Sequence, residues 1–159
     1  DKQATATSEF EILAPVSGEL VHLENTNDPA FSSRAVGDGV AVVPQEGTVC
    51  APVSGTVAAL FPTEHALGIM SDDSSAQVML HIGIDTVKLE GKGFHALVAQ
   101  GDHVDAGQPL VEVDFDAVRA AGFDPTVFVI VCERSENSTL REHGFGPVAV
   151  KEPVIWLSE

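Results

Sequence analysis

The amino-acid sequence predicts an all-β fold, an antiparallel sandwich or barrel that contains a duplicated β motif and one short helix. From Phe10 onward, apolar runs of four to eight residues rich in Val, Ile and Leu alternate with Gly, Pro and Asp. Short apolar runs bounded by turn residues at even intervals are typical of strands. No apolar stripe with a 3.6-residue period is long enough for a helical bundle or a Rossmann unit.

The element boundaries follow from the same pattern. Strands are predicted at residues 18–23, 39–43, 48–51, 55–61, 77–84, 95–98, 109–113, 126–132 and 154–157. The short helix is predicted at residues 116–121, where Gly122 can serve as the glycine that closes a helix. Residues 1–9 are small and polar, so residues 1–11 are predicted to be a flexible tail or an interdomain linker, and residues 12–159 a single domain.

One segment of the sequence is repeated. Residues 14–20 (APVSGEL) and 51–57 (APVSGTV) are identical at five of seven positions. A Pro followed by Ser-Gly before an apolar run is a turn that leads into a strand. The repeat therefore indicates a duplicated β motif or two equivalent corners of one sandwich, with chance recurrence of turn residues as the simpler alternative.

Composition excludes several classes of protein. The 159 residues include 8 basic and 24 acidic side chains, so the net charge is −16. A nucleic-acid partner is not expected, because binding phosphates requires a basic face. An anionic membrane surface would repel the chain, and no apolar run approaches the 18 or so residues of a membrane span. Cys50 and Cys132 lie in apolar runs and are expected to be structural free thiols, although they could pair.

Two of the six histidines stand in informative surroundings. His81 interrupts the buried-strand pattern VMLHIGID, where its ring needs a hydrogen-bond partner; a core histidine bonded to a backbone carbonyl explains the pattern equally well. His65 follows Thr63 and Glu64 in a turn that enters a strand. A structural or solvent-exposed role is expected for the others: His22, His95, His103 and His143.

Several motifs in the same order resemble the glucose-type IIA domains of the bacterial phosphoenolpyruvate-dependent sugar phosphotransferase system. Residues 81–87 (HIGIDTV) resemble the phosphorylation-site segment, and 63–66 (TEHA) the segment of the second active-site histidine. Residues 36–41 (VGDGVA) and 89–94 (LEGKGF) resemble two characteristic glycine turns of the family. Both copies of the repeat also match, and the resemblance extends from about residue 12 to residue 157.

The resemblance implies a fold and a set of site residues. The family fold is an antiparallel β-sandwich of the hybrid-motif type. His81 would be the phosphorylated residue, His65 its neighbour across the site, and Thr63 the hydroxyl of their hydrogen-bond network. Two carboxylates and an apolar ring would surround the pocket and contact partner proteins: Asp28, Asp85, Phe31, Val36, Phe61 and Met79.

The resemblance also implies partners. The chain would be a phosphotransferase component that accepts a phosphoryl group from the phosphocarrier protein HPr and passes it to the cysteine of a IIB domain. No cofactor would be required, although His65 and His81 could hold zinc adventitiously. The protein would act in the cytoplasm, free-standing or as a domain of a sugar permease, and could have regulatory protein targets. The sugar is not encoded in this domain.

Two other classes of protein share features of the sequence. The spacing of His81 and Asp85 occurs in lysostaphin-type zinc peptidases, but the His-x-His pair expected downstream is missing. Residues 101–111 have the rhythm of a biotinyl or lipoyl carrier hairpin. None of the four lysines, however, lies in a Met-Lys-Met or Asp-Lys-Ala turn, so the residue to be modified is missing.

Overall fold

The structure, a computed structural model, describes residues 9–159 and consists mainly of antiparallel strands. The described strands are β1 (Phe10–Leu13), β2 (Gly18–His22), β3 (Asp38–Pro44), β4 (Thr48–Cys50), β5 (Gly55–Leu60), β6 (Ala66–Ser71), β7 (Ala76–Ile82), β8 (Phe94–Ala96), β9 (His103–Val104), β10 (Pro109–Val113), β11 (Val127–Arg134), β12 (Thr139–Glu142), β13 (Gly146–Val148) and β14 (Pro153–Ser158). The described α-helices are α1 (Pro29–Ser32) and α2 (Phe115–Ala120).

The strands form three sheets. The largest has eight strands in the order β13-β2-β3-β11-β7-β6-β5-β9. Two three-stranded sheets have the orders β1-β14-β12 and β4-β10-β8. Neighbouring strands pair antiparallel throughout, which confirms the predicted all-β antiparallel fold.

The large sheet is covered on both faces near its centre. Alternate residues of β7, among them Val78 and Leu80, point into the main core, while His81 on the opposite face is partly exposed. On β11 both faces are buried, and Phe128 and Ile130 belong to a second, smaller apolar cluster on the His81 face. The period-two pattern of β7 therefore reflects burial of one face of the strand. The continuous apolar run of β11 reflects burial of both faces.

The sequence repeat corresponds to a two-fold relation in the structure, which confirms the predicted duplication. The repeated segments are offset by 37 positions, and they bind each other reciprocally. The Leu13 amide donates to the Pro52 carbonyl at 2.9 Å, and the Cys50 amide donates to the Pro15 carbonyl at 2.7 Å. The repeat offset relates Leu13 to Cys50 and Pro15 to Pro52, so each of these hydrogen bonds is the counterpart of the other.

The same relation extends to the serines of the repeat and to the sheet order. The hydroxyl of Ser17 accepts from the Val150 amide at 2.9 Å, and that of Ser54 accepts from the Ala106 amide at 2.8 Å. In the large sheet β2 lies between β13 and β3, whereas β5 lies between β9 and β6. The two halves of this sheet meet at the β11–β7 pair, where the two-fold axis lies.

The helices differ in part from the prediction. The helix predicted at residues 116–121 is α2, shifted by one residue and capped by the Asp114 carboxylate, which accepts from the Ala117 amide at 3.0 Å. The expectation of one short helix is wrong, because α1 also forms. Asp28 caps α1 by accepting from the Ala30 amide at 3.0 Å, and Pro29 occupies its first turn. Four residues are too few for a helical period to be visible in sequence.

Other boundaries also changed. Strands β1, β9, β12 and β13 were not among the predicted strands, because two to four residues carry little period-two signal. Strand β6 was expected only as the strand entered from the His65 turn, without bounds. Phe10 and Glu11, assigned to the predicted tail, pair with β14 instead, and residues 1–8 lie outside the described residues. Cys50 and Cys132 are free thiols, and partial burial raises the pKa of each. Within residues 9–159 no helix is long and apolar enough to cross a membrane.

Candidate active site

Strand pairing brings His65 and His81 together. On β6 and β7, Ala66 lies directly opposite His81, and the Ile82 amide donates to the His65 carbonyl at 2.7 Å. The two imidazole rings therefore lie edge to face, with centroids 5.1 Å apart and planes at 84°. The predicted pair is thus close enough for both rings to contact one small group.

His81 presents one ring nitrogen to the protein and leaves the other free. Its Nδ1 lies 2.8 Å from the Gly83 carbonyl oxygen, which accepts a hydrogen bond from Nδ1–H. Within residues 9–159 no hydrogen bond to Nε2 is formed, so a neutral ring carries its lone pair there. Burial lowers the pKa of His81, although the Gly83 carbonyl and the charges of Asp28 and Asp85 act against this shift. The ring is therefore mostly neutral at pH 7.

A tight turn holds the carbonyl that His81 needs. Gly83 has φ of +81°, and a Cβ at this position would lie 2.3 Å from Cγ2 of Thr86. The Gly83 amide donates to the Thr126 carbonyl at 2.8 Å, and the buried Thr86 hydroxyl donates to the Ile82 carbonyl. The sequence predicts a carbonyl partner for His81 but does not assign it to Gly83; the glycine two residues after the histidine is the signal that could have identified it.

His65 is the more buried of the two rings, with 3% of its surface exposed. Its Nδ1 lies 2.6 Å from the Thr63 hydroxyl, as the resemblance implies. Burial, with a smaller contribution from His81, lowers the pKa of His65 to about 4, so the ring is neutral at pH 7. When the Thr63 hydroxyl donates to Nδ1, the single ring proton lies on Nε2 and is available for donation.

Two aromatic rings support His81. Phe31 on α1 stacks on Phe128 with centroids 4.3 Å apart and lies 5.2 Å from the His81 ring. Phe31 is 5% exposed, so it forms part of the floor beneath His81 rather than an exposed rim for partners. Phe128 was missed by the sequence analysis, because its position opposite His81 depends on the β7–β11 register.

The remaining predicted apolar residues differ in exposure and in contact with the histidines. Val36 and Phe61 are 38% and 47% exposed, and the edge of His65 packs against the Phe61 ring. Met79 is partly buried on the His81 face of β7. Val87, 49% exposed in the 3-10 turn after Asp85, was not predicted. The site is thus an open surface with an apolar margin rather than an enclosed pocket.

The structure gives no support to the metal-dependent alternatives. Among residues 9–159 no group of three or more His, Cys, Asp or Glu side chains could hold a metal ion. The His65–His81 pair provides two imidazoles, whereas a catalytic zinc ion takes three protein ligands. The relatives and the family model support neither the zinc-peptidase nor the biotinyl or lipoyl alternative.

The β-sandwich holds one neutral, partly exposed imidazole beside a second, buried one. Such a pair is chemically suited to accept a small group on the free ring nitrogen. Residues 10–137 match the family described as the phosphoenolpyruvate-dependent sugar phosphotransferase system, EIIA 1. The chain belongs to this family and is a phosphotransferase component of that system.

Individual relatives agree with this assignment. The chain is 42% identical over 144 residues to the glucose-specific EIICBA component of Streptococcus pneumoniae serotype 4, covering 91% of this chain and 20% of that protein. It is 42% identical over 113 residues to the glucose-specific EIIA component of Bacillus cereus, covering 71% and 68%. The solved glucose permease IIA of Mycoplasma capricolum superposes with a TM-score of 0.87 at 33% identity, covering 97% and 99%. The chain spans about a fifth of the length of the EIICBA relative.

Proposed function

We propose that His81 accepts a phosphoryl group on Nε2 from phosphorylated HPr and passes it to the cysteine of a IIB domain. The observation that carries this proposal is the hydrogen bond from His81 Nδ1–H to the Gly83 carbonyl, which leaves the Nε2 lone pair as the nucleophile. In the first step a nitrogen–phosphorus bond forms at Nε2 as the donor's bond breaks. In the second step that bond breaks as a sulfur–phosphorus bond forms on the acceptor.

His65 and Thr63 have supporting roles in this proposal. The neutral His65 ring donates its Nε2–H to a phosphoryl oxygen on His81, since the rings lie 5.1 Å apart between centroids. Thr63 keeps that proton on Nε2 by donating to Nδ1. In-line phosphoryl transfer depends mainly on positioning and on stabilisation of charge, and fixed donors of this kind supply both.

The carboxylates and the apolar margin are assigned to partner proteins. Asp28 and Asp85 would repel a phosphoryl group, but each can bind an arginine of the donor. Val36, Phe61 and Met79 would contact an apolar patch of the partner around that ion pair. The net charge of −16 favours basic partners. Residues 12–159 would form the carrier domain, placed in the cytoplasm where HPr and the IIB domain meet it.

Intact-mass measurement tests the proposal directly. The chain is incubated with phosphoenolpyruvate, enzyme I and HPr, and the mass is measured before and after acid treatment. We expect one acid-labile phosphoryl adduct, absent from His81→Ala and retained in His103→Ala, an exposed histidine on β9 at the edge of the sheet. An adduct that persists in His81→Ala would place the nucleophile elsewhere, and no adduct with active donors would overturn the relay.

A second variant tests the role of His65. His65→Ala should still accept the phosphoryl group on His81, but transfer to a IIB domain should slow, because the donor to the phosphoryl oxygens is lost. Single-turnover transfer from the phosphorylated variant to a IIB domain measures this step. Transfer at the wild-type rate would show that His65 does not act in this way.

A further inference from the structure

Asp124 lies in the loop between α2 and β11 and binds two separate parts of the chain. Its Oδ1 accepts from the Thr126 amide at 2.9 Å and also from the Thr126 hydroxyl. Its Oδ2 accepts from Nδ2 of Asn27 at 3.1 Å, across 97 positions of sequence. Partial burial opposes ionisation, but these donors outweigh it and lower the pKa of Asp124, so the carboxylate is charged at pH 7.

The first contact leads to the His81 ring. The turn that Asp124 forms with Thr126 presents two backbone carbonyls to the segment after β7. The Thr126 carbonyl accepts from the Gly83 amide at 2.8 Å, and the Asp124 carbonyl accepts from the Ile84 amide at 2.9 Å. The Gly83 carbonyl in turn accepts a hydrogen bond from His81 Nδ1–H at 2.8 Å. A continuous series of hydrogen bonds therefore joins Asp124 to the ring.

The second contact leads to Asp28, one of the two carboxylates predicted beside the site. Asn27 directly precedes Asp28, whose carboxylate caps α1. That helix carries Phe31, whose ring lies 5.2 Å from the His81 ring. The turn at residues 124–126 needs only the Oδ1 contact, so the bond to Asn27 adds nothing to the turn itself. Its effect is to fix the loop that bears Asp28 relative to the segment that bears His81.

We propose that Asp124 is a positioning residue for phosphoryl transfer, which keeps the Gly83 carbonyl on His81 and the Asp28 carboxylate beside it. This inference rests on the function proposed above. The Oδ1 atom of Asp124 acts on His81 through the turn. The Oδ2 atom acts on recognition of the phosphoryl donor through Asn27. The two oxygens can be tested separately, because one substitution removes the second contact without the first.

The test of the second contact is a reciprocal exchange. In Asp124→Asn the Oδ1 acceptor remains, but an amide faces the Asn27 amide, and both are donors. We expect Asp124→Asn and Asn27→Ala each to raise the KM for phosphorylated HPr about threefold to tenfold, with kcat nearly unchanged, as for loss of one charge-assisted hydrogen bond. The double variant N27D/D124N restores an amide–carboxylate pair and should return KM to near the wild-type value.

The controls separate this effect from net charge and from folding. Asp116→Asn on α2 changes the charge equally, and its side chain is 99% exposed with one long contact to Arg119, so it should leave KM unchanged. Unchanged KM in both single variants would overturn the inference, and so would an exchange variant that remains as impaired as Asp124→Asn. Thermal unfolding monitored by circular dichroism confirms that the compared variants are folded.

The first contact is tested without any partner protein. Imidazole nitrogen NMR should show the Nδ1–H tautomer of His81 in the wild type and a mixture of tautomers in Asp124→Ala, because the turn that holds Gly83 is lost. A ring that keeps the Nδ1–H tautomer in Asp124→Ala would overturn this part of the inference. If the wild-type chain formed no phosphoryl adduct, the proposed function would fail, and the tautomer measurement would still decide the role of Asp124. If Asp124→Ala does not fold, the exchange variant decides the inference.

Discussion

At the scale of single residues, one side-chain type is used in two ways within 16 positions of sequence. His81 is partly exposed, and its Nδ1 is bound to a backbone carbonyl, whereas His65 is almost fully buried and its Nδ1 contacts a hydroxyl. A carbonyl can only accept, so it forces the proton onto His81 Nδ1. A hydroxyl can donate, so it permits the proton of His65 to lie on Nε2. In the proposed relay, the partner of each Nδ1 would therefore decide which histidine is the nucleophile and which is the hydrogen-bond donor.

Thr63→Val is predicted to impair the second histidine while leaving the first intact. Valine keeps the shape of threonine but removes the hydroxyl that lies 2.6 Å from His65 Nδ1. We expect transfer to a IIB domain to slow by about tenfold and stability to fall by about 1 kcal/mol, as for loss of one buried hydrogen bond. Thr63→Ser should restore much of the rate, and Thr56→Val on an exposed position of β5 should change neither quantity. A normal transfer rate in Thr63→Val would show that the Thr63 hydroxyl does not contribute to transfer.

The depressed histidine pKa values predict how the protein responds to acid. Burial lowers the pKa of His65 to about 4 and that of His81 below its ordinary value of 6.5, so the unfolded chain binds protons that the folded chain does not. Stability should therefore fall as the pH decreases from about 6.5 towards 4, and the contribution of His65 should be lost fully only below about pH 4. NMR titration of both rings and denaturation at each pH measure the two effects. An ordinary midpoint near 6.5 for His65 would contradict the prediction.

For single residues, the sequence predicts the polar side chains of the candidate site better than the residues that hold them in place. Thr63, His65 and His81 were assigned to the site because their short motifs resemble those of glucose-type IIA domains, whereas the residues alone left a structural role for His81 equally open. Phe128 and Asp124 were not identified. Their importance comes from the strand register and from a contact across 97 positions, and neither leaves a mark on neighbouring residues.

At the scale of elements, the turn after β7 determines which ring nitrogen of His81 is left free. Gly83 has φ of +81°, and Asp85, two residues later, has φ of +61°, so the chain reverses sharply as it leaves the sheet. The buried Thr86 closes the turn by donating to Ile82. This reversal brings the Gly83 carbonyl back towards the ring of His81, which precedes it by two residues.

Gly83→Ala is predicted to damage both stability and phosphorylation. The new Cβ would lie 2.3 Å from Thr86 Cγ2 and 3.1 Å from the Asp124 carbonyl oxygen, so the turn must shift. We expect a loss of about 1–3 kcal/mol from strain and clash, together with a mixture of His81 tautomers. Gly122→Ala is the matched control, because φ is +92° there but nothing lies within 4 Å of the added Cβ. Equal effects of the two substitutions on phosphorylation would show that the Gly83 turn has no special role.

Most of the longer strands were predictable, but β6 was expected only as a strand entered from the His65 turn, without bounds. The longer strands β3, β5, β7, β10 and β11 were expected close to their observed bounds, since five to eight residues display a clear period or apolar run. The four-residue helix α1 was missed, although the Asp28-Pro29 pair is a usual way to begin a helix. Short elements are specified by their caps and by tertiary packing more than by periodicity.

At the scale of the whole molecule, charge is the property that composition predicts most directly. The net charge is −16, with 24 acidic and 8 basic side chains in the sequence. Long-range attraction should therefore add to the association rate with a basic donor.

Ionic strength is predicted to slow phosphorylation by HPr. The second-order rate should fall several-fold between about 0.05 M and about 0.5 M salt, because the Debye length shortens from more than 10 Å to a few Å. The extent of phosphorylation at equilibrium should change much less, since its chemistry does not depend on encounter. Stopped reactions sampled by mass spectrometry measure the rate, and a rate independent of salt would contradict the steering argument.

The duplication was the global feature that sequence alone could suggest, from five identities in seven positions. Its extent could not be predicted, because the equivalence of whole strands resides in hydrogen bonds and registers. Leu20 pairs with Val42, and its counterpart Val57 pairs with Ile69. The strands β3 and β6 therefore correspond to each other, although their sequences do not show it.

Following this correspondence across the sheet gives His81 a counterpart. Val127 lies opposite Val42, and Val78 lies opposite Ile69, so β11 and β7 are equivalent in the two halves. Three residues further along each strand stand Ile130 and His81. The same backbone position thus carries a fully buried isoleucine in one half and, in the other, the partly exposed imidazole that we propose as the nucleophile. One copy of the motif is therefore closed by packing at this position, whereas the other leaves it accessible to solvent.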